Sequence, residues 1–406
     1  MTISVLDNPI INNDWGCTNS MVNLYGYANP EQKPMAELWM GAHPKAPSSI
    51  ITETNSESVE LNRYIEANPA AVLGTVCAGK FANQLPFLFK VLSADSPLSI
   101  QSHPNKQQAE EGWQRENLAG IPLNAPNRNY KDDNHKPELV YAITEFHALN
   151  GFRDYQHTIA LFNEIKGDHL SPIIDVLIQS PDSDGLRGFY HALMTHPAPT
   201  TLVDEALTAI HSLITQHPAD YAHQPIWNLA LQLNEKYPGD IGVLSPFLIN
   251  YVVLQPGEAM FLTAGTLHAY LKGTALELMA NSDNVLRGGL TPKHIDIPEL
   301  FSTTVFEPKS FNHLKLSPQF DEHAEHTFLT SAEDFQFSVI TLSGQKHSVH
   351  INTAEILFVL EGTVTVGNEQ GEEQTLTKGQ SAFIAAPCLA YELSGNGKVA
   401  RATTPL

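Results

Sequence analysis

Apolar positions along this chain follow two rhythms, and the change between them divides it. Over residues 1 to about 100 they fall in short extended runs, such as Ala36–Met40, Ala71–Gly74 and Phe87–Leu92, with Asn-Pro, His-Pro and Ser-Pro between them. Runs punctuated this way predict strands and turns. From about 155 to 239 the spacing becomes three-and-four, predicting amphipathic helices at Tyr155–Ile165, Leu170–Gln179, Gly188–Met194, Thr201–Thr215 and Trp227–Tyr237. Pro172, Pro181, Pro197, Pro218, Pro225 and Pro238 bound or open these segments. After Gly239 extended runs return at Leu248–Leu254 and Ala259–Leu262, then at Phe337–Leu342, Ala354–Leu360, Thr363–Val366, Glu373–Leu376 and Ser381–Ala386. The pattern predicts a mainly β protein, sandwich or barrel, interrupted by a helical insertion.

Two stretches share a local grammar of strand, glycine turn, strand and small-residue turn: Leu254–Gly265 around Pro256-Gly257-Glu258, and Leu376–Pro387 around Lys378-Gly379-Gln380. This resembles the second half of the cupin jelly-roll motif. The resemblance implies two cupin (jelly-roll) domains plus a small α-helical domain. The expected division is a discontinuous catalytic unit at 1–154 and 240–305, a helical insertion at 155–239, and a C-terminal cupin-like unit at 306–406.

The 406 residues, 42% hydrophobic, are enough for more than one core. With 23 Lys+Arg against 44 Asp+Glu the formal net charge is −21, which disfavours nucleic acid and anionic membranes as partners. Cys17, Cys77 and Cys388 are far apart and odd in number, as expected of reduced thiols in a cytoplasmic protein. The first residues show no basic-then-apolar leader, and no run of apolar residues is long enough to span a bilayer.

Several segments carry candidate chemistry. Gln101 and His103 are two apart on an expected strand and so share a face; a histidine beside a proline is also an ordinary turn residue. In His135-Lys-Pro-Glu138 an acid enters an apolar strand, which is costly unless the carboxylate is paired, metal-bound or exposed at the strand start. His268 follows the first glycine-turn copy where a cupin places a metal histidine. Gln101, His103, Glu138 and His268 would form an oxygen and nitrogen set that suits zinc. Arg287 to Lys293 holds two cations, adjacent glycines and no acid, a composition suited to a phosphate or to a plain solvated turn.

Taken in order, Trp15-Gly, Ala36–His43, Leu85–Lys90, Leu98–Pro104, His135–Glu138, Gly265–Tyr270 and Ser282–Lys293 resemble the type I mannose-6-phosphate isomerase family over most of the span from 15 to 300. The resemblance implies one zinc per chain, bound by Gln101, His103, Glu138 and His268, and an aldose–ketose isomerase interconverting mannose 6-phosphate and fructose 6-phosphate through a cis-enediol. It also implies Arg287 as an active-site arginine, Ser99, Lys90 and Lys293 near the substrate or its phosphate, and Lys136 and Asp283 in ring opening or proton transfer. A small sugar phosphate is then the partner, and a monomer is expected.

There are departures. Asp14 precedes Trp15-Gly where the family more often has an aromatic, and Thr263-Ala-Gly replaces Pro-Ala-Gly before His268. The C-terminal unit has no His-x-His in Ala354–Glu361 and no histidine near Pro387–Tyr391, so no metal is expected there. Two other classes compete. A cupin oxidoreductase would use iron and usually a His-x-His first motif, which Gln101 breaks. A non-catalytic sugar-binding cupin would need neither Glu138 nor an intact Ser282–Arg287 segment.

Overall fold

In the computed structural model, which describes residues 2–51, 58–219, 221–320 and 325–406, the strands form two antiparallel sheets of eleven and ten strands. The ten-stranded sheet turns on one long strand, His268–Ala280. Its first half pairs with Phe146–Phe152 and Ile100–Ser102, its second with Phe87–Ala94 and Glu138–Ala142. The partners change at Gly273, whose φ is +115° and where a Cβ would lie 2.4 Å from the Glu145 carbonyl oxygen. Glycine permits that approach, and the sheet curls around the strand instead of continuing flat.

The expected insertion is present as helices Tyr155–Ile165, Ser171–Gln179, Ser183–Met194, Pro199–Gln216 and Gln224–Lys236. Pro172, Pro199 and Pro225 stand in first turns, where the missing N–H costs nothing. The apolar faces of these helices, through Phe162, Phe189 and Trp227, join one core with Leu149, Leu267 and Ala269 of the sheet.

Three features differ from the sequence expectation. Ala71–Gly74 was expected to be extended, yet Pro69–Leu73 is helical: Asn68 caps it by accepting the Ala71 N–H, and Pro69 begins it. An Asn-Pro pair read as a break between strands is here a helix start. Lys106–Leu118 forms a helix that its sparse apolar residues did not announce; it is opened by a reciprocal Asn105–Gln108 cap. The first strand, Ile3–Asp7, was expected with the catalytic unit but pairs with Ser381–Ile384 of the eleven-stranded sheet. The Glu372 carboxylate accepts the Thr2 and Ile3 N–H groups at 2.6 and 3.0 Å and ties that end of the chain there.

The two sheets share a core. Phe337 of the C-terminal sheet lies 6.1 Å from Phe89 and 5.3 Å from Tyr141, ring centre to ring centre. No described helix is long and apolar enough to cross a membrane.

Candidate metal centre

Glu138 opens the strand Glu138–Ala142, His268 opens His268–Ala280, and His103 stands one residue past Ile100–Ser102. Curling of the sheet brings their side chains together in its interior, each at most 2% exposed. His103 Nε2 is 3.3 Å from Glu138 Oε1, and His268 Nε2 is 3.3 Å from Glu138 Oε2. The three ligand atoms lie within 4.8 Å of one another. Gln101 is half-buried in the middle of its strand, opposite His268 on one side and Arg287 on the other, positions that share a sheet face.

Tautomers follow from the hydrogen bonds. His103 Nδ1 is 2.6 Å from the Asn284 carbonyl oxygen and His268 Nδ1 is 2.9 Å from that of Thr266. A carbonyl oxygen only accepts, so each Nδ1 carries hydrogen, the tautomer that leaves Nε2 as the ligand atom facing inward. Both Nε2 atoms are buried and have no hydrogen-bond partner among the described residues. Burial pushes His103 down to about 4, so its ring is neutral near pH 7. Two lone pairs facing one carboxylate repel unless a cation lies among them, and an N/O donor set fits zinc.

Burial alone would raise the Glu138 carboxyl. The Lys136 ammonium, 2.7 Å away, outweighs it and holds the carboxyl well below its ordinary range. Tyr270 donates its hydroxyl to Glu138 Oε2 at 2.8 Å; burial and then the Glu138 charge keep that phenol protonated. Sequence reasoning assigned Tyr270 no role, although its position two residues after His268 on one strand puts both side chains on one face. Asn284 was also missed. It is fully buried, its side chain bonds to Lys131, Asp132 and Asn134, and its carbonyl holds His103.

The other expected residues are placed as follows. Lys136 sits beside Glu138. Asp283 is ion-paired at 2.6 Å with Lys45 and lies 3.6 Å from His43 Nε2. Burial would raise the Asp283 carboxyl, but Lys45 and His43 outweigh it and hold the group below the usual carboxylate range. Arg287 is half-buried and has no ion-pair partner among the described residues; burial alone lowers its guanidinium. Lys293 is exposed and Ser99 half-buried.

Lys90 departs from the expectation of a cation facing substrate phosphate. It is 6% exposed and bound at 3.0 Å to both Glu37 and Glu277. Burial would lower its amine, but those carboxylates outweigh it and hold it protonated. Both sides of the ammonium are thus occupied by carboxylates of the protein itself.

A cavity of about 360 Å³ lies beside the centre, lined by His43, Lys45, Lys131, Asp132, Ser282 and Asp283 among others. Asp283 lines it, whereas His103, Glu138 and His268 do not.

The family model "Phosphomannose isomerase type I, catalytic domain" matches residues 3–155, and "Mannose-6-phosphate isomerase, cupin domain" matches 324–404. The mannose-6-phosphate isomerase of Salmonella typhimurium is 45% identical over 396 residues, covering 98% of each chain. That of Homo sapiens is 33% identical over 392 residues, covering 91% of this chain and 90% of the human one. A crystal structure of mannose 6-phosphate isomerase with zinc bound superposes with a TM-score of 0.92 at 44% identity, covering 100% of both chains.

Proposed function

As a member of the type I phosphomannose isomerase family, this chain is a zinc-dependent isomerase interconverting mannose 6-phosphate and fructose 6-phosphate, and we propose which of its residues carry the reaction. His103, Glu138 and His268, with Gln101 as the fourth ligand, hold one zinc. The observation that carries this is the pair of buried imidazole nitrogens turned, without partners, toward one carboxylate. When bound, zinc supplies a Lewis acid that favours negative charge on sugar oxygens.

The chemistry moves a proton from C2 to C1 while O2 loses hydrogen and O1 gains it, passing through a cis-enediol with no net oxidation. Lys136, whose ammonium is 2.7 Å from Glu138, delivers the proton to the ring oxygen on opening. Asp283, ionised because Lys45 and His43 outweigh its burial, accepts the proton of the anomeric hydroxyl. Lys136 and Asp283 then share proton transfer on the open chain. Arg287, half-buried beside Gln101 and without a carboxylate partner, places its charge where an oxyanion develops. Lys293 and Ser99 contact the phosphate. The three-part division at 1–154 with 240–305, 155–239 and 306–406 accompanies this reading, except for Ile3–Asp7, Ser49–Ile51 and Ser58–Glu60, which join the eleven-stranded sheet. A cytoplasmic monomer is proposed with it.

The test is a coupled isomerase assay on metal-stripped protein before and after zinc addition. Activity should vanish and return. Full activity in the stripped protein would remove the metal from the reading, and Glu138→Ala with undiminished zinc would overturn the ligand set.

A further inference from the structure

The C-terminal unit supplies none of the proposed zinc ligands, yet one of its carboxylates reaches the loop that carries Lys136. Asp334 Oδ2 lies 2.8 Å from His135 Nε2, with the Asp334 side chain 5% exposed and that of His135 28%. Asp334 stands between Ala332 and Phe335, both buried in the core the two sheets share. Its carbonyl accepts the Thr404 hydroxyl at 3.2 Å. The carboxylate is therefore fixed to the C-terminal unit.

Loop residues 131–137 form no helix or strand. The loop is fastened to the catalytic unit as far as Asn134, whose amide donates to the Asn281 carbonyl at 3.0 Å and whose own carbonyl accepts from Ser282 Oγ and Asn284 Nδ2 at 3.1 and 2.9 Å. It is fastened again at Glu138, in the sheet. His135 and Lys136 lie between, and Asp334 holds the first of them. A neighbouring ion pair, Lys80 with Glu333 at 2.9 Å, has side chains 39% and 75% exposed and contributes little. The Asp334 pair is sheltered, and a charge-assisted bond there is strong.

We propose that Asp334 is a positioning residue for the isomerisation: through its bond to His135, the C-terminal unit sets the approach of Lys136 to the sugar. This rests on the isomerase reading and gives the C-terminal unit a part in turnover. The physical ground is the sensitivity of proton transfer to placement, since a displacement of about 1 Å can cost about a hundredfold in rate.

The test uses full-length, zinc-loaded D334A, D334N, H135A and the double variant D334A/H135A. Turnover and KM for mannose 6-phosphate, zinc per chain and the thermal midpoint are measured on the same preparations. D334A should lose roughly ten- to a hundredfold in kcat, with KM within about twofold and zinc content unchanged. D334N, whose amide oxygen still accepts the His135 N–H, should recover most of the loss, and the double variant should be no slower than D334A. Wild-type kcat in D334A, a loss that tracks lost zinc or lost folded protein, or losses that multiply in the double variant would each overturn the proposal. Should D334A fail to fold, wild-type kcat in folded, zinc-loaded H135A overturns it. An inactive zinc-loaded wild type would instead refute the isomerase reading.

Discussion

Replacing Asn284 by alanine tests whether the metal centre depends on the loop packed behind it. Asn284 is fully buried. Its side-chain oxygen accepts the Lys131 N–H at 2.6 Å, and its amide donates to the Asp132 carbonyl at 2.9 Å, to Asp132 Oδ1 at 3.1 Å and to the Asn134 carbonyl at 2.9 Å. Truncation does not strand all of these groups, because Asp132 Oδ1 keeps the Asn134 N–H at 3.0 Å and the single Ser282 hydroxyl hydrogen can serve the Asn134 carbonyl. The Lys131 and Asp132 N–H groups and the Asp132 carbonyl are left bare. At about 1–3 kcal/mol for each unsatisfied group, with water able to enter and relieve one of the three, the loss of stability should be about 2–6 kcal/mol. The Asn284 carbonyl also holds His103 Nδ1–H, so the shift should reach the zinc, weakening its binding about ten- to a hundredfold. Urea unfolding gives the first quantity and chelator competition the second. Stability within about 0.5 kcal/mol of wild type, the range of ordinary surface substitutions, together with unchanged zinc affinity, would refute the reasoning.

Lys309 provides a test by pH. Burial pushes its amine from 10.5 down to about 8, with Nζ bonded to Asn150 Oδ1 and the Phe261 carbonyl. Between those two pH values the unfolded chain keeps the proton that the folded chain has released, so stability rises with pH, by up to about 3 kcal/mol. Lys309→Met should lack that rise, and a stability difference between the two proteins that stays constant from pH 8 to 10.5 would contradict it. In the C-terminal unit, Arg401 bonds both Glu355, 1% exposed, and Glu325. Arg401→Met leaves Glu355 charged without its cation and should cost about 3–5 kcal/mol in urea unfolding while zinc content stays whole; zinc loss would show that the units are not independent there. Lys293→Ala should raise KM for mannose 6-phosphate much more than for free mannose, and equal effects would remove Lys293 from the phosphate site.

Much of this architecture is written locally. Three-and-four spacing behind an aspartate cap needs only the chain itself, which is why Tyr155–Ile165, opened by Asp154, begins and ends where the pattern says. Long apolar runs such as Ile249–Leu254 are equally self-declaring. Asn68-Pro69 misled because the same pair serves a turn or a helix start, and only the cap to Ala71 distinguishes them. Ordered motifs named the metal candidates, but not their tautomers, because those depend on the carbonyls of Asn284 and Thr266 meeting the two rings.

What the sequence by itself determined was therefore most of the helix and strand segments and which residues are candidates for the chemistry. The tertiary structure decided what those residues face. The resemblance puts Lys90 near the substrate or its phosphate, but only sheet register shows that it lies opposite Glu277 and beside Glu37. Asp334 reads as one acid among many until packing brings it to His135. The reason is range: periodicity and capping act over a few residues, whereas a side chain's partner depends on how strands distant in sequence close around it.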